Sequence, residues 1–402
     1  QHSNIYLRMN KNLKIKNFNI YRVPVGWKDW VFLKISINDE IYGFSDCTDA
    51  NGSIDGLISV LRKFCSTIVD MNPLETENIR QTLFRTSRQS SGGINSKAIS
   101  GILNCLIEIK SKLFRLPVYS LYGGPVRKTI DLYWSHCFTT RIRQNHSHGF
   151  KVIKNLKDLK DSCGLVNKSG YKTVKTNIIL SNNDESLTVV SPGFKYSTSE
   201  EDSLNSKEKI DNYIRILNII KENLNENIEI IIDINMHFPK NILKYLFSSL
   251  VNFNPKWIEV DSDNWEVIKN LKNQKFPLAS CEKKLSLLEF MPFISSGAID
   301  ICIIDVRWTG FEESLRIANF CNLFNIKVGL HNSGSNLSTM MAAHLGASIT
   351  NLNSVEYDVD ESSIRENIFK NTLDIEKGKI VLSDAIGWGV EINEEFIAKY
   401  AQ

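Results

Sequence analysis

The 402-residue sequence lacks several features that mark whole classes of protein. No uninterrupted apolar run approaches the roughly 18 residues that a membrane-spanning helix requires. No secretory signal peptide, short repeat or low-complexity tract is evident. The net charge is only +3, and basic residues are spread along the chain instead of forming a cluster. We therefore expect neither a nucleic acid nor a membrane as a partner.

Cysteine is present but is not paired in any recognisable pattern. The eight cysteines form no CxxC pair, and several lie inside apolar runs such as AIDICIID. A free thiol in such a run behaves as a small hydrophobic side chain. This usage fits the reducing cytoplasm better than a secreted disulfide framework, so a cytoplasmic location is predicted.

The pattern of the chain changes near residue 129. Residues 13–45 alternate like an antiparallel meander, with a turn at residues 38–40. Residues 53–116 follow a helical period, interrupted by a flexible Gly/Ser loop at residues 87–96. We predict an α+β domain over residues 1–129, a barrel over 130–362, and a tail over 363–402 that returns to the first domain. Met9 is a candidate native start, in which case residues 1–8 belong to a tag or a leader.

After residue 129, short apolar strands alternate with helical patterns. Repeated βα units in this number predict a closed parallel barrel. The long polar segment at residues 179–211 is predicted to be a loop that covers the site or lies disordered. The eight strands are predicted at residues 130–137, 171–177, 227–235, 257–261, 277–282, 300–306, 327–332 and 354–358.

Three consecutive predicted strands end in a carboxylate, at Asp233, Glu259 and Glu282. The intervals between them are 26 and 23 residues, which suits one βα unit each. The C-terminal ends of barrel strands meet at one rim, so the acids would converge and repel one another. Such a set calls for a divalent cation, and oxygen ligands favour Mg²⁺. The alternative is that each acid merely caps a strand or a helix.

Polar residues also end other predicted strands: Lys175, Asp305, His331 and Glu356. An Asp and a His on neighbouring strands can form a hydrogen bond that fixes the imidazole tautomer and raises its basicity. A metal beside this dyad suits removal of a proton α to a carboxylate. The alternatives are a satisfied loop histidine and a solvated lysine. Lys175 could also form a Schiff base, although such a site needs no cage of acids.

Several segments of the sequence resemble the enolase superfamily in their order and spacing. The resemblance is to the mandelate racemase and muconate lactonizing group in particular, with its acid-sugar dehydratases. The resemblance extends from about residue 13 over nearly the whole chain. It is carried by AISGILNCLIEIKSKLFRLPVYSLYGGPVR, DIN, WIEVD, ASCE, IIDVRWTGFEESLRIA, HNSGSNLSTMMAAHLGASITN and VEYD. It implies an α/β fold, a (β/α)7β modified TIM barrel, with an α+β capping domain built from the N-terminal region and the C-terminal tail.

The resemblance also implies roles for single residues. Asp233, Glu259 and Glu282 would bind Mg²⁺, and His331 with Asp305 would form the base dyad. Glu356 would lie near the carboxylate of a small-molecule substrate. Relatives commonly form dimers or larger rings, so a homo-oligomer is expected.

Two positions depart from the pattern of these relatives. Many carry Lys-x-Lys at the end of the second strand, where the second lysine is a base on the opposite face; here that residue is Asn177. With one clear base, elimination is favoured over racemisation. Asp46 stands where relatives often carry Glu, in a loop that with RTSRQSSGG would set specificity. The candidate substrate contacts are Asn177, Arg85, Arg88, His136 and Asp46, and for the two arginines a solvated helix end is an equal alternative.

The sequence thus predicts a Mg²⁺-dependent dehydratase of a sugar acid or a related hydroxy acid. The α-proton would leave through a metal-stabilised enediolate, and loss of the β-hydroxyl would give a 2-keto-3-deoxy acid. His331 would take the α-proton or deliver a proton to the departing hydroxyl, and in the second case Lys175 would be the base. The alternatives are a racemase, epimerase or cycloisomerase of the same superfamily, or a non-catalytic homologue that binds sugar acids.

Overall fold

The computed structural model describes residues 13–26, 28–49, 53–143, 149–190, 205–235, 240–272 and 275–402. The candidate start at Met9 and residues 1–8 lie outside these ranges. The strands are β1 Asn17–Pro24, β2 Asp29–Ser36, β3 Tyr42–Asp46, β4 Thr129–Trp134, β5 Thr173–Thr176, β6 Ile178–Ser181, β7 Leu187–Val190, β8 Glu229–Asp233, β9 Ile258–Glu259, β10 Leu278–Ser280, β11 Ile301–Ile304, β12 Lys327–Leu330, β13 Leu352–Tyr357, β14 Ile375–Glu376 and β15 Lys379–Val381.

Helices occupy much of the remaining chain. They are α1 Ile54–Ile68, α2 Thr76–Thr86, α3 Gly93–Phe114, α4 Thr139–Arg143, α5 Leu156–Ser169, α6 Lys207–Asn223, α7 Lys240–Leu250, α8 Trp265–Leu271, α9 Leu287–Ser295, α10 Val306–Thr309, α11 Phe311–Leu323, α12 Asn336–Ser348, α13 Arg365–Ile368 and α14 Glu394–Ile397. Short 3₁₀ turns lie at Arg88–Ser90, Val118–Tyr122 and Ala398–Tyr400. In the ranges described, no helix is both long enough and apolar enough to span a bilayer.

Strands β4, β5 and β8 to β13 form a closed parallel barrel. They are neighbours in chain order, and β13 pairs with β4 to close the ring. A helix follows each of the first seven barrel strands, whereas β13 is followed only by the short helix α13. All eight predicted strands and the (β/α)7β barrel are therefore confirmed.

The interior of the barrel is filled by a small buried cluster that supports the rim above it. The Tyr133 and Trp257 rings meet edge to face, with centroids 5.7 Å apart and planes at 89°. Because side chains alternate along a strand, the residue two positions further on faces the same way. On several of these strands, the residue two positions after the cluster residue is polar and lies at the rim. The buried cluster consists of Tyr133, Ile231, Trp257, Ala279, Ile301 and Ile303.

The N-terminal capping region contains an antiparallel sheet covered by helices. Strands β1, β2 and β3 form the predicted meander. The Asn38 side chain accepts hydrogen bonds from the backbone N–H groups of Glu40 and Ile41, which shapes the predicted turn. Helix α3 begins at Gly93, so the predicted loop at residues 87–96 is wrong over its second half. Gly92, with φ 91°, makes the sharp entry into this helix.

The C-terminal tail contacts both the barrel and the capping sheet. Strand β15 pairs antiparallel with β4. The indole N–H of Trp388 donates to the carbonyl of Phe44 at 3.2 Å, and Lys34 pairs with Glu394 at 2.5 Å. The tail thus approaches the first domain as predicted, but it also adds a strand beside the barrel. The domain boundaries at residues 129 and 362 stay predictions.

A hairpin follows the second barrel strand, where the sequence predicted a structureless loop. Strands β6 and β7 pair antiparallel over residues 178–190. Their isoleucine, leucine and valine side chains are buried, as Ile179 and Val189 show, and β-branched residues favour strands. The polar residues between the two strands concealed this pattern. The prediction is wrong for these residues, and residues 191–204 lie outside the described ranges.

Candidate active site

Buried acids lie where the alternation of the barrel strands reaches the rim. Asp233 follows Ile231 by two positions, and Glu259 follows Trp257 in the same way. Asp233 and Glu259 are register partners on neighbouring strands, and both are buried. The two strand ends that the sequence predicted to converge therefore lie side by side.

Glu282 reaches the site by a different route. Ala279 points inward, so strict alternation would bring Cys281 to the rim. Cys281 instead adopts φ 96°, a left-handed conformation that is rare for a residue with a side chain. Beyond this bend, Oε1 of Glu282 lies 3.3 Å from Nε2 of His331. The backbone strain therefore occurs where the third acid is aimed at the histidine.

Lys175 is a buried cation between the acids. Its Nζ lies 3.5 Å from Oδ2 of Asp233 and 3.4 Å from Oε2 of Glu259. Burial raises the pKa of Asp233 and Glu259, and the charge of Glu282 raises both further, while Lys175 opposes the shift. Asp233 and Glu259, two buried acids whose charged forms are disfavoured, therefore need positive charge beside them.

The donor chemistry of these acids fits a hard cation. Oε1 of Glu259 is buried and accepts no hydrogen bond from the described part of the chain, which is costly for a carboxylate oxygen. Carboxylate oxygens are the donors that Mg²⁺ prefers. Over the same described ranges, no three His, Cys, Asp or Glu side chains are close enough to hold an ion as they stand. The ammonium of Lys175 contacts two of the three acids instead.

His331 and Asp305 form the predicted dyad. Nδ1 of His331 lies 2.7 Å from Oδ2 of Asp305, which leaves Nε2 facing Glu282. The guanidinium of Arg307 donates to Oδ1 and Oδ2 of Asp305 at 3.1 and 2.5 Å. Asp305 also caps helix α10 by accepting the backbone N–H of Arg307 at 2.8 Å. The carboxylate that orients the imidazole is therefore itself held from two directions.

The charges around this dyad set its protonation. Burial lowers the pKa of His331, but Glu282, Glu356 and Asp305 outweigh that effect and raise it to about 9. Burial alone would raise the pKa of Asp305, yet Arg307 and His331 hold it well below its usual range. At neutral pH the pair is therefore an imidazolium beside a carboxylate.

Glu356 is surrounded by donors at the centre of the site. Its carboxylate lies 2.9 Å from the ammonium of Lys175, and it accepts hydrogen bonds from the Tyr133 hydroxyl at 3.1 Å and the Asn332 backbone N–H at 3.2 Å. The Ser135 hydroxyl donates to it as well. Burial would raise the pKa of Glu356, but Lys175 and His331 outweigh burial and hold it low. Glu356 is therefore an anion at any physiological pH.

The same contacts decide the state of Lys175. Burial lowers the pKa of Lys175, but Glu259 and Glu356 outweigh burial and raise it well above its usual value. The amine is thus an ammonium. A protonated amine has no lone pair, so it can neither take a proton nor attack a carbonyl group.

A second histidine lies at the end of the first barrel strand. Nδ1 of His136 lies 2.9 Å from Oδ2 of Asp358. Burial, and then the positive charge of Arg143, lowers the pKa of His136 to about 4. Burial, and then Asp360, raises the pKa of Asp358 to about 6. Near pH 7 the imidazole is therefore neutral, and its Nδ1–H donates to the carboxylate while Nε2 keeps its lone pair.

The other predicted substrate contacts differ in position. Asn177 is buried directly beyond β5, where its Oδ1 accepts from the Thr139 hydroxyl at 3.2 Å. Arg85 lies in the last turn of α2 and Arg88 in the following 3₁₀ turn; both are exposed. No hydrogen bond, ion pair or ring contact within the described ranges joins either arginine to the site.

Asp46 is buried, and its carboxylate is occupied by protein groups. Oδ2 accepts from the backbone N–H and the hydroxyl of Ser335 at 3.1 and 2.6 Å. Oδ1 accepts from the backbone N–H of Thr48 at 2.8 Å. Ser335 caps helix α12, so Asp46 ties the end of β3 to the start of that helix.

Sequence reasoning gave no role to several residues of the site. Tyr133, Arg307, Trp308, Asn332 and Asp358 all contact residues that the sequence singled out. Asp358 follows Glu356 by two positions, as Arg307 follows Asp305. The alternation of strand side chains could therefore have pointed to Asp358, just beyond β13. Arg307 lies in helix α10, where that alternation does not apply.

Comparison with known proteins identifies the family. Residues 158–396 match the sequence model of the family described as Enolase C-terminal domain-like. A D-galactonate dehydratase family member from Marinomonas sp. (strain MWYL1) is 24% identical, and the alignment covers 96% of this chain and 95% of that protein. D-galactonate dehydratase from Pectobacterium atrosepticum is 24% identical, with 96% of this chain and 94% of that protein covered.

A solved structure agrees over nearly the same length. It is a "putative L-alanine-DL-glutamate epimerase" from Burkholderia xenovorans strain LB400, bound to magnesium and fumarate. That protein is 27% identical and superposes with a TM-score of 0.91 over 96% of each chain. With its closed eight-stranded barrel and its antiparallel capping strands, this chain belongs to the enolase superfamily.

Proposed function

We propose that this protein is a Mg²⁺-dependent dehydratase that removes water from a sugar acid to give a 2-keto-3-deoxy acid. The observation that carries the proposal is the position of His331. Its Nδ1 is held by Asp305, and its Nε2 lies 3.3 Å from Glu282, one of the three converging acids. A proton-transfer group therefore faces the place where a substrate carboxylate would meet a cation. The names of the dehydratase relatives support a sugar acid as the substrate.

Asp233, Glu259 and Glu282 would hold the cation. When bound, it supplies positive charge that stabilises the negative charge on the substrate carboxylate as the α-proton leaves. Lys175, an ammonium beside these acids, adds positive charge on the same side of the site. Glu356 keeps Lys175 in place and protonated.

His331 moves a proton at Nε2. The imidazolium state that the neighbouring acids favour suits delivery of a proton to the departing β-hydroxyl, which leaves as water. The neutral form of the same imidazole would first take the α-proton, so that one proton passes from the α-carbon through Nε2 to the hydroxyl. Asp305 and Arg307 hold the ring in a single orientation. His136 offers the lone pair of Nε2 to a substrate hydroxyl, and Asn177 lies at the neighbouring strand end; we propose both as substrate contacts.

A screen of sugar acids with Mg²⁺ tests this proposal, with semicarbazide to detect the keto acid. We expect at least one sugar acid to be dehydrated and EDTA to stop the reaction. His331→Asn should abolish dehydration while Mg²⁺ still raises the melting temperature of the variant. Near-normal dehydration by this variant would refute the role of His331, and a library without any dehydrated acid would refute the proposed activity.

Deuterium exchange identifies the proton that His331 moves. If His331 only donates to the hydroxyl, a different group takes the α-proton, and His331→Asn still exchanges that proton with D₂O. If His331 is the base, exchange disappears together with dehydration.

The same experiment tests epimerisation, which the name of the structural relative favours. An epimerase would exchange the α-proton and invert its carbon without forming a keto acid. A second proton-transfer group on the opposite face would then be required, and Asn177 cannot be that group because an amide does not exchange protons as an acid or a base.

A further inference from the structure

Trp308 joins the proton-transfer histidine to the capping region. Its ring centroid lies 5.2 Å from that of His331, with the planes at 41°. Nζ of Lys97 lies 4.0 Å from the centroid of the indole, and the indole N–H donates to the carbonyl of Thr48 at 2.9 Å. The indole is buried, so it is a wall of the site and not a surface group.

The turn that carries Trp308 also carries the other support of His331. Asp305 caps helix α10, and the backbone N–H of Trp308 donates to the carbonyl of Asp305 at 3.2 Å. Asp305 holds Nδ1 of His331, while the indole lies against the imidazole ring. One short helix therefore supplies both the hydrogen bond and the packing surface that orient the imidazole. A shift of this turn would move both supports together.

The groups that hold the indole come from the capping region. Lys97 lies on α3 and forms an ion pair with Asp49, whose side chain is 3% exposed. Thr48, which accepts the indole N–H, donates its own backbone N–H to Asp46. Asp46 in turn ties the capping strand β3 to helix α12 of the barrel. The contacts of Trp308 therefore form only when the capping region lies on the barrel in this arrangement.

We propose that Trp308 is a positioning residue for His331, and that the Lys97–Asp49 pair of the capping region holds the indole in place. The seating of the capping region on the barrel thereby sets the orientation of the proton-transfer imidazole. This inference rests on the proposed role of His331, and it adds that part of the catalytic alignment is supplied from outside the barrel.

The size of the effect follows from the kind of contact. A cation over an aromatic face that is shielded from water contributes enough to change a rate by about two- to thirtyfold, if the contact is needed to reach the reactive geometry. Loss of the Lys97 charge should therefore lower kcat within that range. KM should change less, because neither Lys97 nor Trp308 is proposed to bind the substrate.

Two pairs of variants separate positioning from general stability. Lys97→Met removes the charge, whereas Lys97→Arg keeps it over the ring. Trp308→Leu removes the aromatic face, whereas Trp308→Phe keeps a smaller aromatic face without the N–H bond to Thr48. Lys110→Met is the matched control, since Lys110 lies on the same helix over the Tyr122 ring at 5.9 Å and contacts no residue of the site in the described part of the chain.

The first measurement needs no substrate. In protein labelled with ¹³C-histidine, the indole should shift the ring resonances of His331, which His331→Asn identifies by removing them. We expect Trp308→Leu to abolish this shift, Lys97→Met to change it, and Lys97→Arg and Lys110→Met to preserve it. Unchanged His331 resonances in both Trp308→Leu and Lys97→Met would overturn the inference.

The second measurement uses the dehydration assay. Lys97→Met should lower kcat, and Lys97→Arg should restore most of it. Equal loss in Lys97→Met and Lys110→Met, in proportion to their melting temperatures, would mean a merely structural role and would refute positioning. If Trp308→Leu does not fold, the Lys97 variants alone test whether the indole positions His331. A library without any dehydrated acid would refute the proposed activity instead, and near-normal dehydration by His331→Asn would refute the role of His331, so these failures are distinguishable from failure of the positioning inference.

Discussion

The ammonium of Lys175 lies 2.9 Å from Oε1 of Glu356, and both side chains are at most 2% exposed. Neither charge has access to bulk water, so each depends on the other. Lys175, for which the sequence left the roles of base and Schiff-base residue open, is the counter-ion of a buried acid in this structure.

Replacing Lys175 should therefore destabilise the fold. We expect Lys175→Met to lower the free energy of unfolding in EDTA by about 3–5 kcal/mol, because Glu356 would be a buried charge without its partner. Urea unfolding measures this loss. Lys379→Met is the control, since its pair with Asp131 is about half exposed on both sides and should contribute at most about 1 kcal/mol. Similar losses in the two variants would contradict the assignment of a buried pair.

Glu259 should show the opposite behaviour without metal. Glu259→Gln removes a buried carboxylate whose pKa is raised by burial and by its acidic neighbours. We expect the variant to be at least as stable as the parent protein in EDTA. It should lose most of the stabilisation by Mg²⁺, which for a single site is about 2.7 kcal/mol at a hundredfold excess over Kd.

Thermal unfolding with and without Mg²⁺ tests this expectation. Glu229→Gln is the control and should keep the full Mg²⁺ response. Glu229 lies at the exposed start of β8, the strand that pairs with β9. An undiminished response in Glu259→Gln would exclude Glu259 as a ligand.

His136 and Asp358 should each make the free energy of unfolding depend on pH, and the two dependences should nearly cancel. The folded-state pKa of Asp358 is raised to about 6, so its contribution to stability is present at low pH and is lost as the pH rises towards 6. The folded-state pKa of His136 is lowered to about 4, so its contribution is present above pH 6.5 and is lost as the pH falls towards 4. Between about pH 4 and 6 these two trends are opposite and similar in size, and together they nearly cancel.

Single substitutions should reveal the two trends. Relative to the parent protein, His136→Asn should lose about 3 kcal/mol of unfolding free energy as the pH rises from 4 to 6, because Asp358 then acts alone. Asp358→Asn should lose a similar amount as the pH falls from 6.5 to 4. Urea unfolding at several pH values gives both slopes, and equal slopes in the two variants would contradict the pairing.

Gly43 should tolerate no side chain. A Cβ atom there would lie 2.0 Å from the carbonyl oxygen of Cys105, a backbone atom of α3 that cannot move aside alone. Gly43→Ala should therefore lower the free energy of unfolding by about 1–3 kcal/mol. Gly164→Ala is the control within α5, where a Cβ meets nothing within 4 Å, and it should stabilise the helix by about 1 kcal/mol. Denaturant midpoints measure both, and an unchanged midpoint in Gly43→Ala would show that the sheet and α3 can separate freely.

The barrel could be predicted from the sequence because its signals are local. Each strand is a short apolar run, and the acids at its end repeat at the length of one βα unit, as Asp233 and Glu259 show. Alternation of side chains then places such residues at one rim. Glu282 reaches the rim only through the left-handed bend at Cys281, which no periodicity reveals.

The arrangement of charges could not be predicted, because it depends on contacts between distant segments. Lys175 meets Glu356 across 181 residues of sequence, and this contact decides its protonation. Asp46 likewise contacts Ser335, which is 289 residues away in the sequence. Residue type and position on a strand indicate that a group is polar and near the rim, but they do not identify its partner.

The capping sheet is completed by the end of the chain. Trp388 donates to Phe44 and Glu394 pairs with Lys34, contacts that span nearly the whole sequence. During synthesis, the meander and helices of the first hundred residues therefore leave the ribosome long before the segment that covers them. Until the tail arrives, the capping region lacks these contacts, and such incompletely packed intermediates are exposed to misassembly.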